Sequence, residues 1–170
     1  REVSPNQPAV VTIGSMVAGT TYNVIPSVAT IQGTVRAYRG KVRRQIEERL
    51  GEIARGIATA MRATAEVDYR SGCPALENDA AKVDLARAAL GELLGPDAVL
   101  AREPVMGAED FAFVLQRVPG AFMHLGVRAP GWGTPRPVHT ATFDLDEDAL
   151  PIGVAALAAT ALKFLASEAG

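Results

Sequence analysis

The chain has 170 residues, 48% of them hydrophobic and 21% charged, with a formal net charge of -2. That balance fits an ordinary globular protein and excludes a disordered chain. The near-neutral charge excludes the basic stripe that nucleic acid or an anionic membrane surface would demand. Residues 9–18, AVVTIGSMVA, read as a strand. In residues 28–38, Ala29, Ile31, Gly33, Val35 and Ala37 share one face, and Thr30, Gln32, Thr34 and Arg36 the other. A period of two predicts a half-buried strand. The connection GTTYNVIP between them carries Asn23.

Over residues 41–63 the period changes. Val42, Ile46, Leu50, Ile53, Ile57 and Met61 recur at helical spacing, with Arg43, Arg44, Glu47, Glu48 and Glu52 opposite. This predicts an amphipathic helix. TAEVDYR, residues 64–70, alternates again and predicts a third strand. Strand, strand, helix, strand describes a small antiparallel sheet with a helix on one side, a layer that lacks a further strand and helix. SGCPALEND, residues 71–79, is rich in turn formers and marks a domain boundary, giving segments 1–72 and 73–170.

In the second segment, Asn78 or Asp79 can cap a helix that Gly95-Pro96 stops. AVLA reads as a short strand, MGAEDFAFVLQRVPG as a turn entering a helix, and AFMHLGV as a buried strand. Residues 129–142 form a Pro-rich loop containing Trp132, which could line a pocket or a rim. Asp146 or Asp148 then opens a C-terminal helix, with Pro151 tolerable only in its first turn. The apolar stretch 150–166 is shorter than a bilayer span and is interrupted by Lys163, so it reads as a buried helix. The fold class is therefore α/β.

Few residues offer chemistry. The single cysteine, Cys73, can form neither an internal disulfide nor a cysteine-rich zinc site. With no basic, apolar leader at the start, that usage suits the cytoplasm. Serine-nucleophile motifs and phosphate-cradling glycine loops are missing. His124 reads as a core or half-buried histidine. His139, on the Pro-rich loop, is either a surface residue or a metal ligand. Glu109 and Asp110 are either a helix start matched to the dipole or an acidic site wall. The acids Asp144, Asp146, Glu147 and Asp148 lack the glycine and distant glutamate of a calcium loop and read as a solvated helix start. Asn23 is a turn former or an amide donor to an oxyanion. Arg36 is a solvated strand residue or a clamp for a carboxylate.

Three stretches, PAVVTIGSMVAGTTYNVIPSVATIQGTVRAY, MGAEDFAFVLQRVPGAFMHLG and HTATFDLDEDALPIG, together resemble a metal-dependent amidohydrolase family of aminoacylases and carboxypeptidases. That group includes hydrolases of hippurate and of indole-acetyl-amino acids. The resemblance runs over residues 2–166 in the family's order. It implies a catalytic domain with a bridged pair of divalent metals (zinc, manganese, cobalt or nickel) and an inserted lid that mediates homodimerisation. Residues 1–72 would be an incomplete α+β lid, and 73–170 the closing part of a layered α/β metallohydrolase domain. His139 matches the last metal-ligand histidine. Asn23 matches a lid asparagine that polarises the scissile carbonyl in the partner subunit, and Arg36 a lid arginine that holds the substrate carboxylate. Glu109 lies in a family motif near the substrate.

The chain departs from the pattern in lacking the family's other metal ligands and its paired glutamates, and VHTATF stands where LHSPRF is usual. The expectation is a C-terminal part of an N-acyl-amino-acid hydrolase, acting on a small-molecule substrate and inactive alone. A non-catalytic dimerisation or binding module is the alternative.

Overall fold

The computed structural model describes residues 2–168. It has two strands and four helices of mixed α/β character: β1 (Ala9–Ala18), β2 (Ala29–Ala37), α1 (Gly40–Ala60), α2 (Ala80–Leu94), α3 (Phe111–Leu115) and α4 (Ala149–Glu168). The chain divides into two compact units. The first ends at Leu76 and also takes in Pro104–Phe113; the second comprises Glu77–Glu103 and the chain from Val114 onward.

In the first unit, β1 and β2 form an antiparallel ribbon that runs from Ala18 opposite Ala29 to Ala9 opposite Ala37. The register slips between Ile13 and Ser15, which leaves Gly14 as the extra residue of a bulge. Gly33 sits opposite Ile13, and a Cβ there would collide with the Thr12 carbonyl oxygen. Only a residue without a side chain lets the two backbones approach this closely.

The expected half-burial of the alternating face holds only at Val35 and Ala37, at the end of β2 that leads into α1. Ile31 is 55% exposed and Met16 70%. The reason is that α1 packs on β2 and, among the described residues, no further layer covers the ribbon. The helical stripe behaves likewise: Val42 and Ile46 are buried, whereas Ile57 and Met61 are exposed.

Arg49 on α1 ties down the start of the chain. Its guanidinium pairs with the Glu2 carboxylate at 2.9 Å and with Glu52, and Gln45 donates to the Glu2 carbonyl. The hydrogen bond from Arg49, reinforced by its charge, holds the Glu2 carboxyl below its usual range. Arg43 donates to the Cys73 carbonyl at 2.9 Å and so fastens the segment after α1.

Residues 64–70, expected as a strand, form none. Among the described residues the ribbon is the only sheet, so no neighbour supplies the ladder that defines a strand. Tyr69 is half-buried there; burial pushes its phenol pKa up, the Glu47 charge adds to the rise, and the Arg43 charge opposes it.

In the second unit, Asp79 caps α2 by accepting from the Lys82 N–H at 3.0 Å. The chain leaves α2 through Gly95, at a φ of 89° that favours glycine. A turn of 3-10 helix, Pro96–Ala98, ends at the first residue of AVLA, which forms no strand, and AFMHLGV also forms none. In its place the Asn78 side chain pairs both ways with Phe122, accepting from its N–H at 2.8 Å and donating to its carbonyl at 3.1 Å. An amide side chain thus does locally what a neighbouring strand would do. His124, expected in the core or half-buried, is exposed and meets Phe122 edge to face, with ring centroids 5.2 Å apart.

The expected burial of the C-terminal helix also fails. α4 packs on α2 through Lys82 over the Phe164 ring and the Lys163–Glu92 ion pair. Val154, Leu157 and Leu162 nevertheless remain 66 to 70% exposed. By length and composition alone, α4 is the one described helix that could cross a membrane. Pro151 falls in its first turn, as its missing N–H requires.

Two measurements check this account. Gly33→Ala is expected to lower the urea midpoint of unfolding by an overpacking cost of about 1–3 kcal/mol. Gly14→Ala, where a new Cβ meets nothing, is expected to leave the midpoint nearly unchanged. In an ultraviolet alkaline titration, Tyr69 ionises above the ordinary tyrosine range. Because the folded pKa of Tyr69 is raised, its contribution to stability is present below the unfolded value of about 10 and is lost as pH rises through the folded one.

Candidate active-site residues

Asn23 lies in the exposed turn at the tip of the ribbon, where its Oδ1 accepts from the Thr21 hydroxyl at 3.2 Å. Neighbouring Tyr22 is fully exposed and Ile25 is 93% exposed. Arg36 is exposed on β2 and sits opposite Val10, near the other end of the ladder. It stands seven positions beyond Ala29, the first paired residue after the turn. At strand rise this is about 23 Å. Asn23 in the turn and Arg36 near the far end of the ladder thus belong to opposite ends of the ribbon.

Glu109, in the same unit, is half-buried, and its carboxylate accepts from the Phe111 N–H at 3.2 Å. It thereby satisfies one of the free donors at the start of α3. This is a structural duty that the paired acids in the sequence already signal.

His139 belongs to the second unit and is exposed. Its backbone is left-handed, with φ 64°, a conformation uncommon for a residue with a side chain. The turn around it is held by the Thr140 hydroxyl, which donates to the Pro137 carbonyl at 2.8 Å, and by the Phe143 N–H, which donates to the Thr140 carbonyl at 3.2 Å. Strained backbone of this kind persists where its surroundings over-determine it, as at ligand sites.

No three His, Cys, Asp or Glu side chains among the described residues come together to hold a metal. A metal centre needs more donors than a single imidazole supplies. The described residues thus do not by themselves fit a metal pair.

The same loop contains a feature that only its folding reveals. A recess of about 170 Å³ is walled by Val127, Trp132, Pro135 and Pro137. Arg136 also lines it, with its guanidinium carbon 4.2 Å from the Trp132 ring centroid, a cation–π contact, and it pairs with Asp144. Arg128 donates to the Trp132 carbonyl and so fixes the loop. In the sequence, Trp132 among prolines and two arginines was the only signal of this recess.

The mixed α/β character agrees with the family that comparison identifies. Residues 3–163 match peptidase family M20/M25/M40, and the chain belongs to that family. It is 35% identical over 165 residues to thermostable carboxypeptidase 2 of Saccharolobus solfataricus, covering 96% of this chain and 41% of that protein. It is 35% identical over 151 residues to N-acetyl-L-cysteine deacetylase of Bacillus subtilis, covering 88% and 34%. The crystal structure of Bacillus subtilis YXEP protein, a dinuclear metal-binding peptidase of the M20 family, superimposes with a TM-score of 0.78 at 32% identity, covering 92% of this chain and 42% of that one. The chain thus spans about two fifths of the length of these relatives.

If Glu109 acts only on the start of α3, Glu109→Ala costs about 1 kcal/mol in urea unfolding, the usual loss for a removed helix-end acceptor. Glu109→Gln, which keeps an acceptor oxygen, is expected to recover most of that loss.

Proposed function

We propose that the full-length protein hydrolyses the amide bond of N-acyl amino acids, with this chain supplying its C-terminal part. In this reading residues 1–72 belong to a lid that pairs two subunits, and residues 73–170 close the catalytic domain. His139 is one ligand of a pair of divalent metals whose other ligands lie outside this chain, with zinc, manganese, cobalt and nickel all compatible. Arg36 holds the substrate carboxylate through two parallel N–H bonds. Asn23 donates its side-chain amide to the oxygen that gains charge as the carbonyl is attacked. Glu109 organises the substrate end of α3.

The observation that carries this reading is the separation of Asn23 from Arg36 along one ribbon. It supports a site to which each of two copies brings one of these residues, and hence a homodimer. Membership of a family with a dinuclear metal-binding peptidase supports the metals. The names of relatives, a carboxypeptidase and an N-acetyl-L-cysteine deacetylase, support a small carboxylate-bearing amide as substrate. No step is assigned to the metals here, because the described residues do not complete their donor set.

The same gap in donors favours a second reading for the chain in isolation, a dimerisation or binding module without turnover. The purified, metal-supplied 170-residue chain is expected to hydrolyse no N-acyl amino acid; measured turnover would refute this.

In the full-length protein, His139→Ala is expected to lower both bound metal and activity, and unchanged metal content would remove the ligand role. Arg36→Ala should raise KM for carboxylate substrates by about tenfold or more, the scale of one lost charge-assisted contact. The corresponding amino-acid amides should be almost unaffected. Mixing Asn23→Ala and Arg36→Ala subunits gives a further check. If the residues act across the dimer, the hybrid regains activity that neither variant has alone.

A further inference from the structure

We infer that Thr21 is a positioning residue for the reaction: its hydroxyl holds the Asn23 side-chain amide with the NH2 group turned outward, as a donor to the substrate oxygen. The inference rests on the amidohydrolase reading, in which Asn23 is that donor. It goes beyond that reading in naming what aims the amide.

The chemistry of the amide is the first argument. An asparagine side chain has one end that only accepts hydrogen bonds and one end that only donates them. The two ends have nearly the same shape, so a half-turn about χ2 exchanges them. Stabilising negative charge requires the nitrogen end. The turned amide would set its own oxygen against the developing charge. In the ribbon tip the Thr21 hydroxyl donates to Asn23 Oδ1 at 3.2 Å. That occupies the accepting end and leaves both Nδ2 protons without a partner among the described residues. Of the two threonines before Asn23, only Thr21 makes this contact.

Polarisation is the second. A hydrogen bond received at Oδ1 draws electron density toward the oxygen and strengthens the N–H donors of the same amide. The hydroxyl therefore improves the donor that it aims.

Locality is the third. Tyr22 and Asn23 are the central residues of the turn, and Val24 beside them is 61% exposed. Thr21 stands two positions before Asn23, so their contact travels with the tip wherever the tip docks. Threonine is stiff at χ1, which keeps the hydroxyl aimed. The base of the tip is also fixed. Ala18 pairs with Ala29, and Gly19, at a φ of 71°, lies against the Pro26 ring. In open water such a bond competes with solvent, and it counts for more where docking excludes water.

The test has two arms, both on the full-length protein. The first measures kcat and KM on one N-acyl amino acid. Asn23→Ala is expected to lower kcat by about a hundredfold, the loss of one oxyanion donor. Thr21→Val keeps the shape and loses the hydroxyl. It is expected to lower kcat by about threefold to tenfold, the range of one neutral hydrogen bond, with KM unchanged. Thr21→Ser restores the hydroxyl and is expected to restore kcat. Combined with Asn23→Ala, Thr21→Val is expected to lower kcat no further, because no amide is left to aim. An equal fall in both backgrounds would mark a merely structural role and overturn the inference. So would an unchanged kcat in Thr21→Val where Asn23→Ala loses activity, a result that leaves the role of Asn23 intact. Full activity in Asn23→Ala would overturn the amidohydrolase reading at this residue, and the positioning role with it. The second arm needs no turnover. The heteronuclear NOE of the Asn23 Nδ2 group, assigned by its loss in Asn23→Ala, is expected to fall in Thr21→Val and to be kept in Thr21→Ser. An unchanged NOE in Thr21→Val would overturn Thr21 as the holder of the amide, whatever the kinetics.

Discussion

The antiparallel ladder between β1 and β2 is the constraint on which the functional argument depends. Each paired residue fixes the next, and a slip of one position would turn every side chain to the other face. Gly33 against the Thr12 carbonyl and the bulge at Gly14 pin the register. With the register set, the place of Arg36 near one end of the ribbon and of Asn23 at the other is no longer adjustable. The proposed site shared by two copies draws on that separation.

Each unit leaves apolar surface uncovered. Ile31 and Met16 on the ribbon, and Val154, Leu157 and Leu162 on α4, all stand more than half exposed. Burial of apolar surface is the main favourable term in folding and association, so contiguous faces of this kind mark places where further protein fits. The relatives, of which this chain spans about two fifths, are long enough to supply such cover. The same long apolar helix passes a composition test for a membrane span, which shows how little composition decides without its neighbours.

The loop leading to His139 contrasts with these open faces. Its order comes from polar closures at short range: Arg128 to the Trp132 carbonyl, Arg136 to Asp144, and Thr140 to Pro137. These fix the histidine turn and the recess beside it without an apolar core.

Local structure was legible in the residues themselves. Alternation marked β1 and β2, a 3.6-residue stripe marked α1, and Asp79 and Gly95 bounded α2, because periodicity and capping depend on near neighbours in the chain. The family was legible too, through NVIP, GTVR and the histidine turn. What the residues could not reveal depended on partners distant in sequence. The alternation in 64–70 and the apolar run in 121–127 form no strand, because a strand exists only when another supplies its hydrogen bonds. His124 is exposed and α4 uncovered for the same kind of reason, since burial is a property of what lies opposite. The recess at Trp132 arose only when the loop folded back to bring Val127, Arg136 and Asp144 around it. Chain-local pattern thus determined the elements and their class, and tertiary contact alone decided which of their faces are covered.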